Sequence, residues 1–265
     1  MGLSETISHL STTPDEQLQL RRIADKAEQC RRQNIPVWTK FLTPRERELA
    51  EQMMPLLGSP AHVYLGGTDN AERSVLYFLP DWLEDAPLDD DCPIAALRCT
   101  YPSEYGEAGH RDILGALMGL GIVRETVGDI YPSKGSVDII VLRDIVSYVQ
   151  QNFFSAGKVR LQVSVIPLSD IHTPELKQVQ IRDTVASVRL DSIISSGFGM
   201  SRDKAATLIR SGRVSVDHTE CTKPDRVLQQ GSSITARGFG KLLLSEIGGL
   251  SKKGRIGVVL TKYVG

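Results

Sequence analysis

The apolar positions of this chain change period along its length, and the changes divide it. From Pro14 to Asn34, Leu18, Leu20, Ile23, Ala24 and Ala27 recur among many charges, which is the spacing of an amphipathic helix. Thr43-Pro44, with Glu46 three residues past the threonine, predicts a second, capped helix running through Leu49, Ala50, Met53 and Met54. Short apolar runs at His62 to Leu65 and Ser74 to Leu79, parted by Gly66-Gly67, predict two strands in a hairpin-like arrangement. The acidic stretch Asp81 to Asp91 then marks a boundary, so residues 1-88 read as a small N-terminal α/β unit.

The middle third has a sharper order. Pro93 to Tyr101 is strand-like. His110 to Gly121 carries Ile113, Leu114, Leu117 and Met118 at helical spacing. Val127 to Tyr131 and Val137 to Leu142 read as strands around the turn Pro132-Ser133-Lys134-Gly135. Asp144 to Phe154 places Ile145, Val149 and Phe153 on one helical face, and Val159 to Ile166 alternates as a strand. The order β-α-β-β-α-β over residues 89-168 predicts a ferredoxin-like plait, giving an α+β fold class for the chain. Many RNA-binding domains use this plait, but Ser136-Val137-Asp138-Ile139 offers no Phe or Tyr on which bases would stack.

Residues 166 to 181 read as an extended linker, and a C-terminal unit spans 182-265. It opens with two short helices. Leu190, Ile193, Ile194 and Gly197 share one face of the first; Ser201 caps the second, whose stripe is Ala205, Leu208 and Ile209 before Gly212. Beside that stripe Arg202 and Arg210 lie on one flank, and Arg213 comes just past the cap. Strands are expected at Arg213 to Val216, Ser233 to Ala236, Leu242 to Ile247 and Arg255 to Tyr263, with turns near Asp217-His218-Thr219 and Gln230-Gly231.

Composition adds one decisive point. The chain of 265 residues has a net charge of −1, yet from Gln180 onward it holds 14 Lys and Arg against 7 Asp and Glu. The C-terminal third is therefore basic and the remainder acidic, an asymmetry that predicts a polyanionic partner for the C-terminal unit. No apolar run is long enough to span a membrane. Met1 to Asp15 lacks the basic-then-apolar pattern of an export signal, so a cytoplasmic location is expected. Cys30, Cys92, Cys99 and Cys221 are scattered without zinc spacing and are expected to be reduced thiols.

No catalytic residue is expected. His110 with Asp112 lacks the third group and pocket that acid–base work needs, and Gly115, Gly119 and Gly121 do not have dinucleotide-loop spacing. As a helix start bearing cations, His110 and Arg111, joined by Arg124 and Lys134, are expected to form a second RNA contact.

Ser201-Arg202-Asp203-Lys204-Ala205, then Ile209, Gly212, Val214 and Val216, resembles the central signature of the S4 RNA-binding domain. The resemblance runs from about Val188 to Ala236; it departs at Asp217-His218-Thr219, where that family often has Asn-Gly. Over the whole chain, His110 to Met118, Gly121-Ile122-Val123-Arg124-Glu125, Gly128-Asp129-Ile130, Glu246 to Gly249 and Lys252-Lys253-Gly254-Arg255 resemble the YlmH family of S4-domain proteins, a layout shared with photosystem-associated S4 proteins. The resemblance implies a non-enzymatic factor that binds rRNA and tRNA on the large ribosomal subunit, in rescue of subunits blocked by peptidyl-tRNA (ribosome-associated quality control). It implies RNA-binding roles for Arg189, Ser201, Arg202, Lys204, Arg210 and Arg213; Ser211 is expected to join them, and from their basic character Lys241, Lys252, Lys253 and Arg255 are expected to form a second phosphate-contacting edge. No cofactor, metal ion, small-molecule substrate or membrane is implied, and a monomer is expected.

Two other functions compete. An RNA-modifying enzyme is suggested by Arg189-Leu190-Asp191, which matches a pseudouridine synthase tripeptide, but Ser192-Ile193-Ile194 stands where that motif continues with Thr or Ser and then Gly. A scaffold or assembly role in cell division or photosystem biogenesis would place binding on the acidic two thirds.

Overall fold

Helix α1 (Leu3–Leu10) and helix α2 (Pro14–Gln33) open the chain. Leu20, Ile23, Ala24, Ala27 and Cys30 form the buried stripe of α2, and Asn34 closes it in the left-handed conformation with a φ of 53°. After strand β1 (Val37–Leu42), the Thr43 hydroxyl accepts from the Glu46 backbone N–H while the Glu46 carboxylate accepts from the Thr43 N–H. This reciprocal cap starts α3 (Pro44–Met53) as the sequence predicts. The computed structural model describes residues 3–11, 13–83, 85, 92–173, 177–250 and 254–264.

The chain forms two compact units, Met1–Pro174 and Glu175–Gly265. In the first, β2 (His62–Leu65) and β3 (Ser74–Phe78) join β1 in an antiparallel sheet of order β1-β3-β2, covered by the three helices. The plait comes next: β4 (Ile94–Thr100), α4 (His110–Gly119), β5 (Val127–Ser133), β6 (Ser136–Leu142) and α5 (Val146–Asn152). The small hairpin β7 (Ser155–Ala156) and β8 (Val159–Arg160) precedes β9 (Gln162–Ile166). Sheet order is β5-β6-β4-β9, antiparallel throughout, which is the plait order expected. The expected single strand Val159 to Ile166 is broken at Leu161, a buried residue whose N–H is taken by Phe154 O at 2.8 Å.

The two halves of this unit are joined by a polar lock. Asp129, from the Gly-Asp-Ile segment, accepts from the backbone N–H of Glu72 at 2.7 Å and of Arg73 at 3.2 Å, and from Tyr131 Oη at 3.2 Å. Arg73 reaches back to Val127 O at 3.2 Å and Phe41 O at 3.0 Å. Gly128 makes room for the Phe41 ring: a Cβ there would lie 2.7 Å from Phe41 Cε1. A small apolar core of Phe41, Val75, Cys92, Ile94, Ile140 and Leu142 fills the same seam.

The second unit comprises β10 (Lys177–Val185), α6 (Leu190–Phe198), α7 (Arg202–Arg210), β11 (Val214–Val216), β12 (Thr219–Glu220), β13 (Ser233–Ala236), β14 (Gly240–Leu250) and β15 (Ile256–Val264). The strands form one antiparallel sheet of order β10-β15-β14-β13-β11-β12. Leu190, Ile193, Ile194 and Gly197 of α6 and Ala205, Leu208 and Ile209 of α7 are buried on it, the two stripes predicted from period alone. Part of the expected linker is instead an edge strand: β10 pairs with β15 from Lys177↔Val264 to Val185↔Ile256. Asp217 and His218 both take positive φ, 49° and 62°, between the paired Val216 and Thr219. That is a two-residue hairpin turn of the primed kind, reached here without glycine.

All four cysteines are buried thiols, and each lies in a different apolar core: Cys30 under the N-terminal helices, Cys92 in the seam, Cys99 in the plait and Cys221 in the second unit.

Candidate nucleic-acid interface

Asp191 organises the basic side of α6 and α7. It is 5% exposed. Its carboxylate accepts from Arg202 Nη2 at 2.7 Å, and from Arg189 Nε at 3.3 Å and Nη2 at 3.2 Å. Burial alone would raise its pKa; hydrogen bonds from Arg202 and then Arg189 outweigh this and hold it below the ordinary carboxylate value. One buried anion thus fixes two partly exposed guanidiniums side by side, across the junction of two helices. The α6 N-terminus itself is closed, because Leu190 N–H donates to Arg226 O at 2.9 Å and Asp191 N–H to Pro224 O at 3.0 Å.

On α7, the Ser201 hydroxyl accepts from Lys204 N–H at 3.3 Å and caps the helix. Lys204 and Arg210 are exposed, and among the described residues neither has an ion-pair partner. Ser211 is exposed, its hydroxyl donating to Leu208 O at 2.8 Å at the end of α7. Arg213 donates to Arg237 O at 2.8 Å and so lies against the turn between β13 and β14. The Phe239 ring in that turn has Lys204 Nζ 5.9 Å above it and the Phe198 ring 5.9 Å away; Lys262 Nζ lies 5.3 Å over Phe198. Lys241 Nζ is 5.7 Å over Tyr263, its neighbour in the β14–β15 ladder.

The predicted residues therefore do not form one group. Arg189 and Arg202 are joined by Asp191, while Lys204 and Arg213 meet at the β13–β14 turn, with Lys241 beside it. Arg255 sits at the far end of β15, where it donates to Thr184 Oγ1 at 3.0 Å. The length of β15 separates it from Lys262 and Tyr263 by roughly 20 Å. Lys252 and Lys253 lie outside the described residues. Sequence reading missed Asp191 as the clamp, and it missed Phe198, Phe239, Arg237 and Lys262; the linear signal for them is Gly238-Phe239-Gly240, an aromatic ring held between glycines.

The expected second contact on the plait is likewise divided. His110 and Arg111 are exposed at the start of α4. Though the residue is exposed overall, neighbouring atoms partly desolvate its ring, and this first, then the Arg124 guanidinium, holds the His110 pKa below the ordinary imidazole value. Arg124 is turned onto the start of β5, bonding Val127 O and Gly128 O. Lys134 stands in the turn at the other end of β5. The Asp112 carboxylate accepts from Gly109 N–H at 2.9 Å and serves as a helix cap. Among the described residues no cluster of side chains could hold a metal ion, and no helix is long and apolar enough to cross a membrane.

Two family models match this sequence: "Putative RNA-binding domain in YlmH" over residues 87–170 and "S4 domain" over residues 188–234. The ribosome-associated protein quality control protein P2 of Bacillus subtilis (strain 168) is 34% identical over 216 residues, covering 81% of this chain and 82% of that protein. The chain belongs to the YlmH family of S4-domain proteins. A solved YlmH structure, the cell division protein ylmH from Streptococcus pneumoniae, is 17% identical and superposes with a TM-score of 0.52, over 60% of this chain and 94% of that one. It shows the same fold over that length. The YlmH-type RNA-binding match contains the whole plait from β4 to β9. The S4 match takes in α6, α7 and β11 and ends inside β13, leaving β10, β14 and β15 outside it.

Proposed function

We propose that this YlmH-family protein is a cytoplasmic, non-enzymatic RNA-binding factor that engages rRNA and tRNA on the large ribosomal subunit, as a monomer, in the rescue of stalled peptidyl-tRNA complexes. The observation that carries the reading is the charge of the S4 unit: Lys204 and Arg210 exposed on α7 with no ion-pair partner among the described residues, beside the two guanidiniums that Asp191 holds in place, with Arg213 at the neighbouring β13–β14 turn. Guanidiniums fixed by a buried carboxylate keep outward donors for phosphate oxygens without losing side-chain freedom on binding. The name of the Bacillus relative, a ribosome-associated quality control protein, supplies the setting. Asp112 as a helix cap removes the partner that His110 would need as an acid–base pair, which supports a non-catalytic role.

The test is co-sedimentation with purified large subunits. Arg202 is the wrong residue to reverse, since a glutamate there would face the Asp191 carboxylate and disturb folding. Lys204→Glu with Arg210→Glu leaves that clamp intact. The double variant is expected to lose co-sedimentation with unchanged thermal unfolding; retained co-sedimentation overturns the assignment. Affinity of the parent protein is expected to fall steeply with salt, as displacement of condensed counterions requires, and a flat response favours the scaffold role.

A further inference from the structure

We infer that the β13–β14 turn of the S4 unit is a separate subsite for an unpaired RNA nucleotide, whose base stacks on Phe239 while Lys204 and Lys262 take its flanking phosphates. The inference rests on the RNA-binding reading above and adds which form of RNA this end of the unit takes. Three observations converge on it. The first is the loop itself: Arg237-Gly238-Phe239 closes the Ala236↔Gly240 pair, with Gly238 and Gly240 at φ of 88° and 107°, so the ring is presented on a turn that glycines alone adopt readily. Next, Phe239 and Phe198 are half-buried at the edge of the core, their rings 5.9 Å apart, and each ring has a lysine ammonium near it, at 5.9 Å and 5.3 Å from the centroids. The third is charge. Among the described residues Lys204, Arg213, Arg237 and Lys262 have no carboxylate partner, so the turn is ringed by cations around aromatic carbon.

Phosphate alone does not account for the rings, and core packing alone does not account for the lysines. Together they match what single-stranded nucleic acid requires, a base-stacking face beside backbone-neutralising charge. A lysine over a half-buried ring is held more weakly than a stacked base, so an arriving base displaces the ammonium toward the phosphate next to it. Paired RNA, with its bases stacked on each other, gains nothing from the ring. The site therefore selects a bulged, looped or flipped nucleotide.

The experiment compares two RNA hairpins, identical except that one carries an unpaired bulge with a fluorescent base analogue, binding to the full chain. The parent protein is expected to bind the bulged hairpin more tightly and quench the analogue. Phe239→Leu, which keeps the apolar contact with the core, is expected to lose about tenfold for the bulged hairpin and much less for the paired one. Phe239→Tyr should restore both quench and affinity, and thermal unfolding of all three proteins should agree. Equal affinity of parent and Phe239→Leu for the bulged hairpin overturns the subsite while leaving the RNA-binding reading standing. Failure of the parent protein to bind either hairpin, or large subunits, overturns both.

Discussion

Asp191 shows how one side chain sets the properties of several others. It is buried, it carries two arginines, and its folded pKa lies below the unfolded value of 3.8. Its contribution to stability is thus full above the unfolded value and is lost as pH falls through the lower folded one. Asp191→Asn is expected to destabilise the second unit by about 2 kcal/mol at neutral pH, the scale of a broken buried charge-assisted pair with partly solvated partners. Thermal unfolding of parent and variant across an acid series should show the gap closing below pH ~4. A gap that persists in acid would mean the carboxylate stabilises by packing alone. The start of a helix at Asp191 is legible in the sequence, but its partner Arg202 lies on the next helix. Period and capping describe one helix at a time; a contact across a junction is not among the things they encode.

At the scale of elements, the legible features are those with a strong period. The stripes of α6 and α7 and the strand and helix order of the plait come from residues repeating at 3.6 or 2, and burial tracks them. The first five residues of β10 read as linker because they follow the proline-bearing stretch 166–176 and only Val179 and Ile181 alternate among polar neighbours; Val179 is exposed and Ile181 only half-buried, so the strand is held chiefly by its backbone pairing with β15. A fragment beginning at residue 177 is therefore expected to unfold cooperatively, whereas one beginning at 188, where the S4 match starts, uncovers the full edge of β15 and should lose cooperativity and self-associate, as sedimentation and calorimetry would reveal. Helix α6 also makes its own demand on the sheet. A Cβ on Gly197 would lie 2.3 Å from Leu242 Cδ1, so Gly197→Ala is expected to cost about 1–3 kcal/mol in the same unit, despite alanine's better helix propensity. Stabilisation by that substitution, measured by denaturant unfolding, would mean the helix and sheet are less closely packed than described.

For the whole molecule, charge and architecture divide at the same place. The basic third coincides with the second unit, so the isolated unit is expected to retain most of the salt dependence of RNA binding, read as the slope of log affinity against log salt. Gly238-Phe239-Gly240 marks the β13–β14 turn in the sequence and Lys204 is expected from its motif, but that residues 198, 204, 239 and 262 meet there is a property of the folded unit alone. The distribution of cysteines turns the same architecture into an instrument. With one thiol inside each of four apolar cores, the protein carries its own reporters of opening: all four are buried from reagent in the native form, and burial also pushes the Cys99 pKa up to about 12. Timed alkylation read by mass spectrometry would then report how each core exchanges with its open form. Cys30, Cys92 and Cys99 are expected to label at one common rate, because the Asp129 lock ties their cores together, and Cys221 at a rate of its own that RNA slows and the other three do not feel.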